Sequence, residues 1–265
     1  GLDQFTVSID GASAPSHGAI RPGASLEKIA ENVRMLHQMS ANASDTPLRI
    51  GIEFVAMRRN IHELPGLGEI ADRVRASFIL VTNVMPYAAE LRDEILYHLG
   101  PTTHEGEGAP YNPLWILPHI DWDRETQGPL SAIMRHRPKL SFFDISPAQR
   151  NSYCPFVRAG SMAVAWHGGV SPCPALLHSY RCFIRSRPKF FRGCEFGRLP
   201  GQDVRAIWTD PAYAAFRARV HRFDFSPCTD CGGCDLAETN EEDCFGNGFP
   251  VCGDCLWARG VLRCA

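Results

Sequence analysis

The chain has 265 residues, a formal charge of −2 and 45% hydrophobic content, the balance of a globular protein with one large domain or two. No apolar run approaches the roughly 20 residues a helix needs to cross a bilayer, and the near-neutral charge gives no electrostatic footing on nucleic acid or a membrane surface. Eleven cysteines of unpaired, metal-type pattern point to a reducing, cytoplasmic setting.

Phe5 to Ile9 alternate as a strand does and end at the turn Asp10-Gly11. A loop carrying His17 and Arg21 follows. Ser25 is placed to cap a helix, with Glu27 in its first turn and Leu26, Ile29, Ala30, Val33 and Leu36 at helical spacing. Leu48 to Val55 reads as a second strand. Arg58-Arg59-Asn60 reads as a turn in which Asn60 caps a helix, and Pro65 to Ala76 as a helix opened by proline. Ser77 to Val81 is a third strand, and Ala88 to Leu99 a third helix. This alternation predicts parallel strands with crossover helices, so functional residues are expected just past the strands' C-terminal ends. Ser8, Asp10, Asn83 and Met85 hold such positions. Three units do not close a barrel, and Gly1-Leu2-Asp3-Gln4 runs straight into a strand pattern, so the expectation is that further units precede Gly1.

Residues 100–125, rich in Pro, Gly and His, read as a long loop with a short apolar strand at Leu114 to Ile120. A helix over Gly128–His136 and a strand over Leu140–Ile145 lead to a composition shift at Ser146-Pro147. The predicted units are therefore 1–150 and 151–265. In the second, Gly160–Ala165 and Val170–Cys173 flank His167-Gly168-Gly169 as a hairpin. Arg181–Gly201 is basic and irregular, and Val204–Phe223 is helical with a break at Asp210-Pro211. His17, His119, His167 and His178 read as surface or hairpin residues ahead of ligands or proton shuttles. Trp166 and Trp257 are expected to pack beside the cysteines.

Seven of the cysteines lie between Cys228 and Cys264, set among Gly, Asp and Asn. A structural thiol sits on an apolar face instead, so these are placed to converge on a common centre. Disulfides are the weakest account, because the thiol count is odd and the chain is long enough to bury a core without staples. Cys231-x2-Cys234, seventeen residues, then Cys252-x2-Cys255 fits a four-thiolate zinc ribbon. The uninterrupted Cys228-x2-Cys231-x2-Cys234 suits an iron–sulfur cubane, with a fourth thiolate from a distance. One zinc ribbon leaves Cys228 and Cys244 unused, whereas two clusters would use them.

The upstream residues add a resemblance. V-S-I-D-G-A at 7–12, followed by His17-x3-Arg21, resembles the fourth strand of a radical S-adenosylmethionine (radical SAM) enzyme and its loop. I-G-I-E-F-V-A-M-R-R-N at 50–60 and F-I-L-V-T-N-V-M-P at 78–86 are similar to the fifth and sixth strands. Cys154, thirteen residues, Gly168, four residues and Cys173 match the opening of a SPASM domain, and Cys228-x2-Cys231 its later pair. Cys234 and Cys244 depart from the usual SPASM spacing. The tail D-C-F-G-N-G-F-P-V-C-G-D-C-L-W and the closing W-x-R-G-V-L-R-C resemble the tungsten-cofactor oxidoreductase maturases of that superfamily.

The resemblance implies an α/β fold: the second half of a radical SAM (β/α)6 partial barrel followed by a small cysteine-rich SPASM or twitch-type domain. It implies two auxiliary 4Fe–4S clusters held by Cys154, Cys173, Cys228, Cys231, Cys234, Cys244, Cys252 and Cys255. Cys154, Cys173 and Cys244 would serve the first, Cys228, Cys231 and Cys234 the second, and Cys252 and Cys255 the remaining places; Cys182, Cys194 and Cys264 are set aside. Ser8 and Asp10 would contact S-adenosyl-L-methionine and Arg21 its carboxylate. The family's C-x3-C-x2-C motif is absent, so these residues alone are expected to be unable to cleave that cosubstrate. The implied partners are a peptide, protein or cofactor-precursor substrate and an electron donor such as ferredoxin or flavodoxin. The rival accounts are a zinc-binding interaction module and an electron-transfer iron–sulfur protein.

Overall fold

The computed structural model describes residues 2–43, 48–97, 120–136, 153–231 and 233–263. It is a mixed α/β protein. Strand β1 (Gln4–Ser8) leads through the short helix α1 (Ala14–Ile20) to α2 (Leu26–Ala43). The Ser25 hydroxyl accepts the Lys28 amide at 3.2 Å, as a helix cap should. The predicted loop with His17 is instead the helix α1, because Ser13 and Ser16 form a reciprocal capping box with proline in the first turn.

β2 (Arg49–Ala56) is followed by a 3-10 turn over Ile61–Gly66, then by α3 (Leu67–Arg73) and β3 (Phe78–Asn83). Proline thus lies inside a 3-10 turn and does not open the helix. The strands form one parallel sheet in the order β1-β2-β3, with Ser8 opposite Glu53 and Glu53 opposite Leu80. α4 (Ala89–Arg92) is one turn where three were expected. Ile95, Leu96 and Tyr97 leave it to become buried, and Leu96 accepts the Asp121 amide at 2.7 Å. α5 (Gln127–His136) matches its prediction. No closed barrel forms among the described residues; the predicted strand at 140–145, the boundary near 150, His119 and Cys264 lie outside them.

One sheet face carries Ile50, Ile52, Phe54, Ala56, Ile79 and Val81. It is buried under Leu26, Ala30 and Val33 of α2, Leu67, Ile70 and Ala71 of α3, and Leu130 and Ile133 of α5. Burying each such side chain contributes roughly 1.5–3 kcal/mol, so this half has an ordinary apolar core. The opposite face is mixed, with Ser8, Glu53, Leu80 and Thr82 at matching registers.

The cysteine-rich half is built from much smaller pieces. α6 (Pro155–Arg158) precedes β4 (Ala163–Val164) and β5 (Gly169–Ser171), which pair antiparallel as the predicted hairpin. β6 (Tyr180–Ile184) and β7 (Arg187–Phe191) form a second hairpin where irregular chain was expected. Alternation explains it: Cys182, Ile184, Lys189 and Phe191 turn inward and the residues between them stay more open, a period-2 pattern hidden by the charge of the inward lysine. β8 (Gly197–Arg198) completes the first sheet. α7 (Val204–Thr209) and α8 (Pro211–Arg222) are separated by Asp210, which caps α8, and α9 (Cys228–Cys231) is a single turn.

A third apolar cluster joins the halves. Met57, Val84, Met85, Ile95 and Tyr97 meet Cys182, Ile184, Phe191, Leu256, Val261 and Leu262. Asn83 donates to the Val261 carbonyl at 2.9 Å, and Thr82 accepts the Arg263 amide at 2.9 Å. The tail therefore seats on the C-terminal end of β3.

Candidate metal centre

The local frame of each thiol explains its position. Cys154 caps α6, with its sulfur 3.5 Å from the Val157 amide. Cys173 precedes the 3-10 turn Pro174–Leu176, and the Ala175 and Leu176 amides face its sulfur. Cys255 opens a turn whose Trp257 and Ala258 amides do the same. Three sulfurs thus each sit at the mouth of a turn with two N–H groups directed at them, a setting that favours thiolate over thiol.

Gly168 holds the hairpin that carries Cys173. Its φ is +86°, and a side chain there would collide with the Leu199 carbonyl. Only glycine fits, since Leu199 N donates back to Gly168 O at 2.8 Å to close β8 against β5. Gly253 plays the matching part in the tail: a β-carbon would strike the Ser226 carbonyl, so the loop between Cys252 and Cys255 lies directly on the segment that leads to Cys228.

Cys154, Cys173, Cys252 and Cys255 pack into one apolar cluster with Val157, Val170, Leu176, Tyr213 and Phe216. Burial, with neighbouring Cys255 and Cys154, pushes the Cys173 thiol well above its ordinary range. Burial does the same to Cys252, helped by Cys255, Cys173 and Cys154. Cys255 is pushed up to about 12 by burial and then by Cys154. Cys154 acts on each of the other three, in keeping with their packing against one cluster. Four thiolates gathered there need a positive centre, and metal ligation lets buried thiols release their protons.

Cys228 is buried against Ser226 Oγ at 2.9 Å, and its thiol is raised by burial and by the nearby Asp254 and Cys244 charges. Cys244, which the resemblance groups with Cys154 and Cys173, is exposed on a loop folded next to Ser226. The reason is the Glu242–Gly248 bridge and the buried Asp243, whose carboxylate takes the Ser226, Phe245 and Asn247 amides. Cys231 and Cys234 are exposed. Among the described residues no three His, Cys, Asp or Glu side chains stand close enough to hold a single metal ion. A tetrahedral zinc site would set its sulfurs about 3.8 Å apart. A cubane spreads four ligands over four irons and suits a looser set.

Lys189 and Asp254 were missed from sequence. Lys189 is buried, and its Nζ lies 3.0 Å from Asp254 Oδ2, 3.0 Å from Ala237 O and 2.9 Å from Thr239 O. Arg187 joins Asp254 at 2.6 Å. Burial would raise the Asp254 carboxyl, but Lys189 and Arg187 outweigh it and hold it below the usual range. This network ties the loop of Cys252 and Cys255 to the chain just past Cys234. An aspartate between two cysteines was the only sequence signal.

In the sheet half, Asp10 is buried, accepting Val55 N at 2.8 Å and Arg21 Nε at 2.6 Å. Ser8 is half-buried beside Glu53. His17 is fully buried, with Nδ1 taking the Asp10 amide at 3.2 Å, so it braces a strand end and is not a surface residue. Asn60 makes no helix cap; its side chain ties Met57 N, Asp10 O and Val55 O together. Glu53, unremarked in the sequence, has its carboxyl raised by burial and by Asp10. Trp166 is 90% exposed at the hairpin tip and packs beside no cysteine cluster, whereas Trp257 does.

Residues 154–235 match the SPASM family, an iron–sulfur cluster-binding domain. The SPASM resemblance stands. Cys244, Cys252 and Cys255 lie beyond the matched residues, yet the fold brings the last two to Cys154 and Cys173. The chain is also 28% identical over 254 residues to the tungsten-containing aldehyde ferredoxin oxidoreductase cofactor-modifying protein of Pyrococcus furiosus. That match covers 93% of this chain and 63% of the relative, so the chain spans less than two thirds of that protein's length. Among the described residues no helix is long and apolar enough to cross a membrane.

Proposed function

We propose that this chain is the SPASM-bearing part of a radical SAM-type maturase that modifies a peptide, protein or cofactor precursor. In this reading Cys154, Cys173, Cys252 and Cys255 hold one auxiliary 4Fe–4S cluster, and Cys228, Cys231, Cys234 and Cys244 hold a second. The carrying observation is the group of four thiols, Cys173 buried and Cys154, Cys252 and Cys255 half-buried against one apolar cluster, drawn from two segments about 80 residues apart. Such clusters supply one-electron transfer. The chain's own residues fix the thiols and pack apolar side chains around Cys154, Cys173, Cys252 and Cys255, while Lys189 and Arg187 neutralise Asp254 between the two tail cysteines.

Residues 1–150 would form part of a partial (β/α)6 barrel, with 151–265 as the auxiliary unit. Ser8 and Arg21 stand at the end of β1, where S-adenosyl-L-methionine would lie, while Asp10 orients Arg21. The sulfonium-binding cluster would need a C-x3-C-x2-C motif from outside these 265 residues. A ferredoxin or flavodoxin in the cytoplasm would supply electrons. The name of the Pyrococcus relative favours a tungsten-enzyme cofactor as the target.

Anaerobic reconstitution tests the reading. About eight irons and eight sulfides are expected per chain, and Cys255→Ser and Cys228→Ser should each remove about four irons. A colourless protein that takes up zinc in preference would overturn it.

A further inference from the structure

Near the four-thiol group lie two buried hydroxyls with no acceptor among the described residues. Tyr213 is fully buried on α8, and its Oη has no hydrogen-bond partner. Its ring is stacked on Phe196 at 4.5 Å, met edge-on by Trp208 at 5.6 Å and covered by the Arg217 guanidinium at 4.3 Å. The ring cannot turn away, so the direction of the hydroxyl is set. It belongs to the same packed cluster as the four thiols. Arg217 carries only donors and cannot take the phenolic proton.

Tyr180 approaches on β6. Its ring stacks on Phe191 at 5.2 Å and meets Tyr87 edge-on at 5.4 Å, and its Oη is also buried and unpartnered. Its cluster also holds Leu256 and Trp257, the two residues that follow Cys255. A buried donor without an acceptor opposes folding, and two of them packed close to one thiol group call for acceptors at that group.

We propose that Tyr213 and Tyr180 donate hydrogen bonds to the sulfurs of the cluster held by Cys154, Cys173, Cys252 and Cys255, and so set its reduction potential. The proposal rests on the cluster reading above. A donor to sulfur draws electron density from the cluster and stabilises its reduced, more negative state, which raises the potential. Both tyrosines are positioning residues: they act on the cluster through its sulfurs and carry no ligand role.

The test uses the reconstituted full chain. Tyr213→Phe and Tyr180→Phe remove one oxygen each and should still load iron. In a redox titration followed by electron paramagnetic resonance, each should lower the equilibrium constant for reduction about tenfold, about 59 mV for a one-electron couple. Iron release to a chelator should quicken about tenfold. Tyr97→Phe is the control, because the Tyr97 hydroxyl already donates to Val84 O at 3.2 Å, and it should leave the potential unmoved. If Tyr213→Phe fails to load, 3-fluorotyrosine at that position, a stronger donor of the same shape, should raise the potential. An unmoved or oppositely shifted potential in a loaded variant overturns the proposal while leaving the cluster reading intact. A wild-type chain that forms no iron–sulfur centre overturns both.

Discussion

The two halves of the molecule keep their shape by different means. In the parallel-sheet half, strands of five to eight residues lay an unbroken apolar face against three helices. Its polar buried groups, Asp10, His17 and Asn60, answer one another at the strand ends. In the cysteine-rich half the strands are two to five residues long, and the core contains thiols, a buried lysine and a buried aspartate. Aliphatic packing stabilises the first half by itself. The second depends on charge neutralisation and on whatever the thiols bind, so its stability and its metal content should rise and fall together.

Breaking the charge network is expected to separate the halves most sharply. Lys189→Met leaves Asp254 buried without its main partner, which costs about 3–5 kcal/mol. Limited proteolysis should show 154–262 cleaved and iron lost while 4–83 stays protected; equal protection of both would contradict the comparison. The converse change is Leu64→Ala, at a fully buried position of the sheet half. It should cost about 2–5 kcal/mol in chemical denaturation without altering the iron bound per folded molecule.

Gly253→Ala forces the loop of Cys252 and Cys255 away from Ser226. A loss of about 1–3 kcal/mol is expected, with faster iron release read by a chelator assay. The smallest effect is at Glu53. Burial and Asp10 raise its carboxyl above the ordinary 4.5. A raised carboxyl favours folding only below its unfolded value, and that contribution is lost as pH rises through the folded value. Thermal melts of Glu53→Gln against the wild type should therefore diverge in favour of the variant as pH climbs from about 4 and level off above the raised pKa. Parallel melts across that range would show that Glu53 is solvated.

The parallel-sheet half was legible because the apolar residues of its long helix keep one period for several turns, as Leu26 to Leu36 do, and because Ser25 announces a helix start. The helix α1 was hidden, its capping box being made of two serines in a stretch that otherwise reads as a loop. β6 and β7 were hidden by arginines and a lysine whose alternation resembles a charged loop until the inward lysine is seen to meet Asp254. Asn60 and His17 look like surface polar residues in sequence, yet each completes a buried strand end.

Residue spacing alone determined that this chain carries cysteines arranged for a metal centre beside strand–helix units, since glycine at 168 and paired cysteines reflect local backbone needs readable at short range. Which thiols share a site was decided only in three dimensions. Cys154 and Cys255 are about 100 residues apart in the chain yet pack against one apolar cluster, and Asp243 fixes the loop that carries Cys244 next to Ser226. Spacing encodes turns, whereas the meeting of distant segments depends on side chains packing around them, and that information is spread over the whole core.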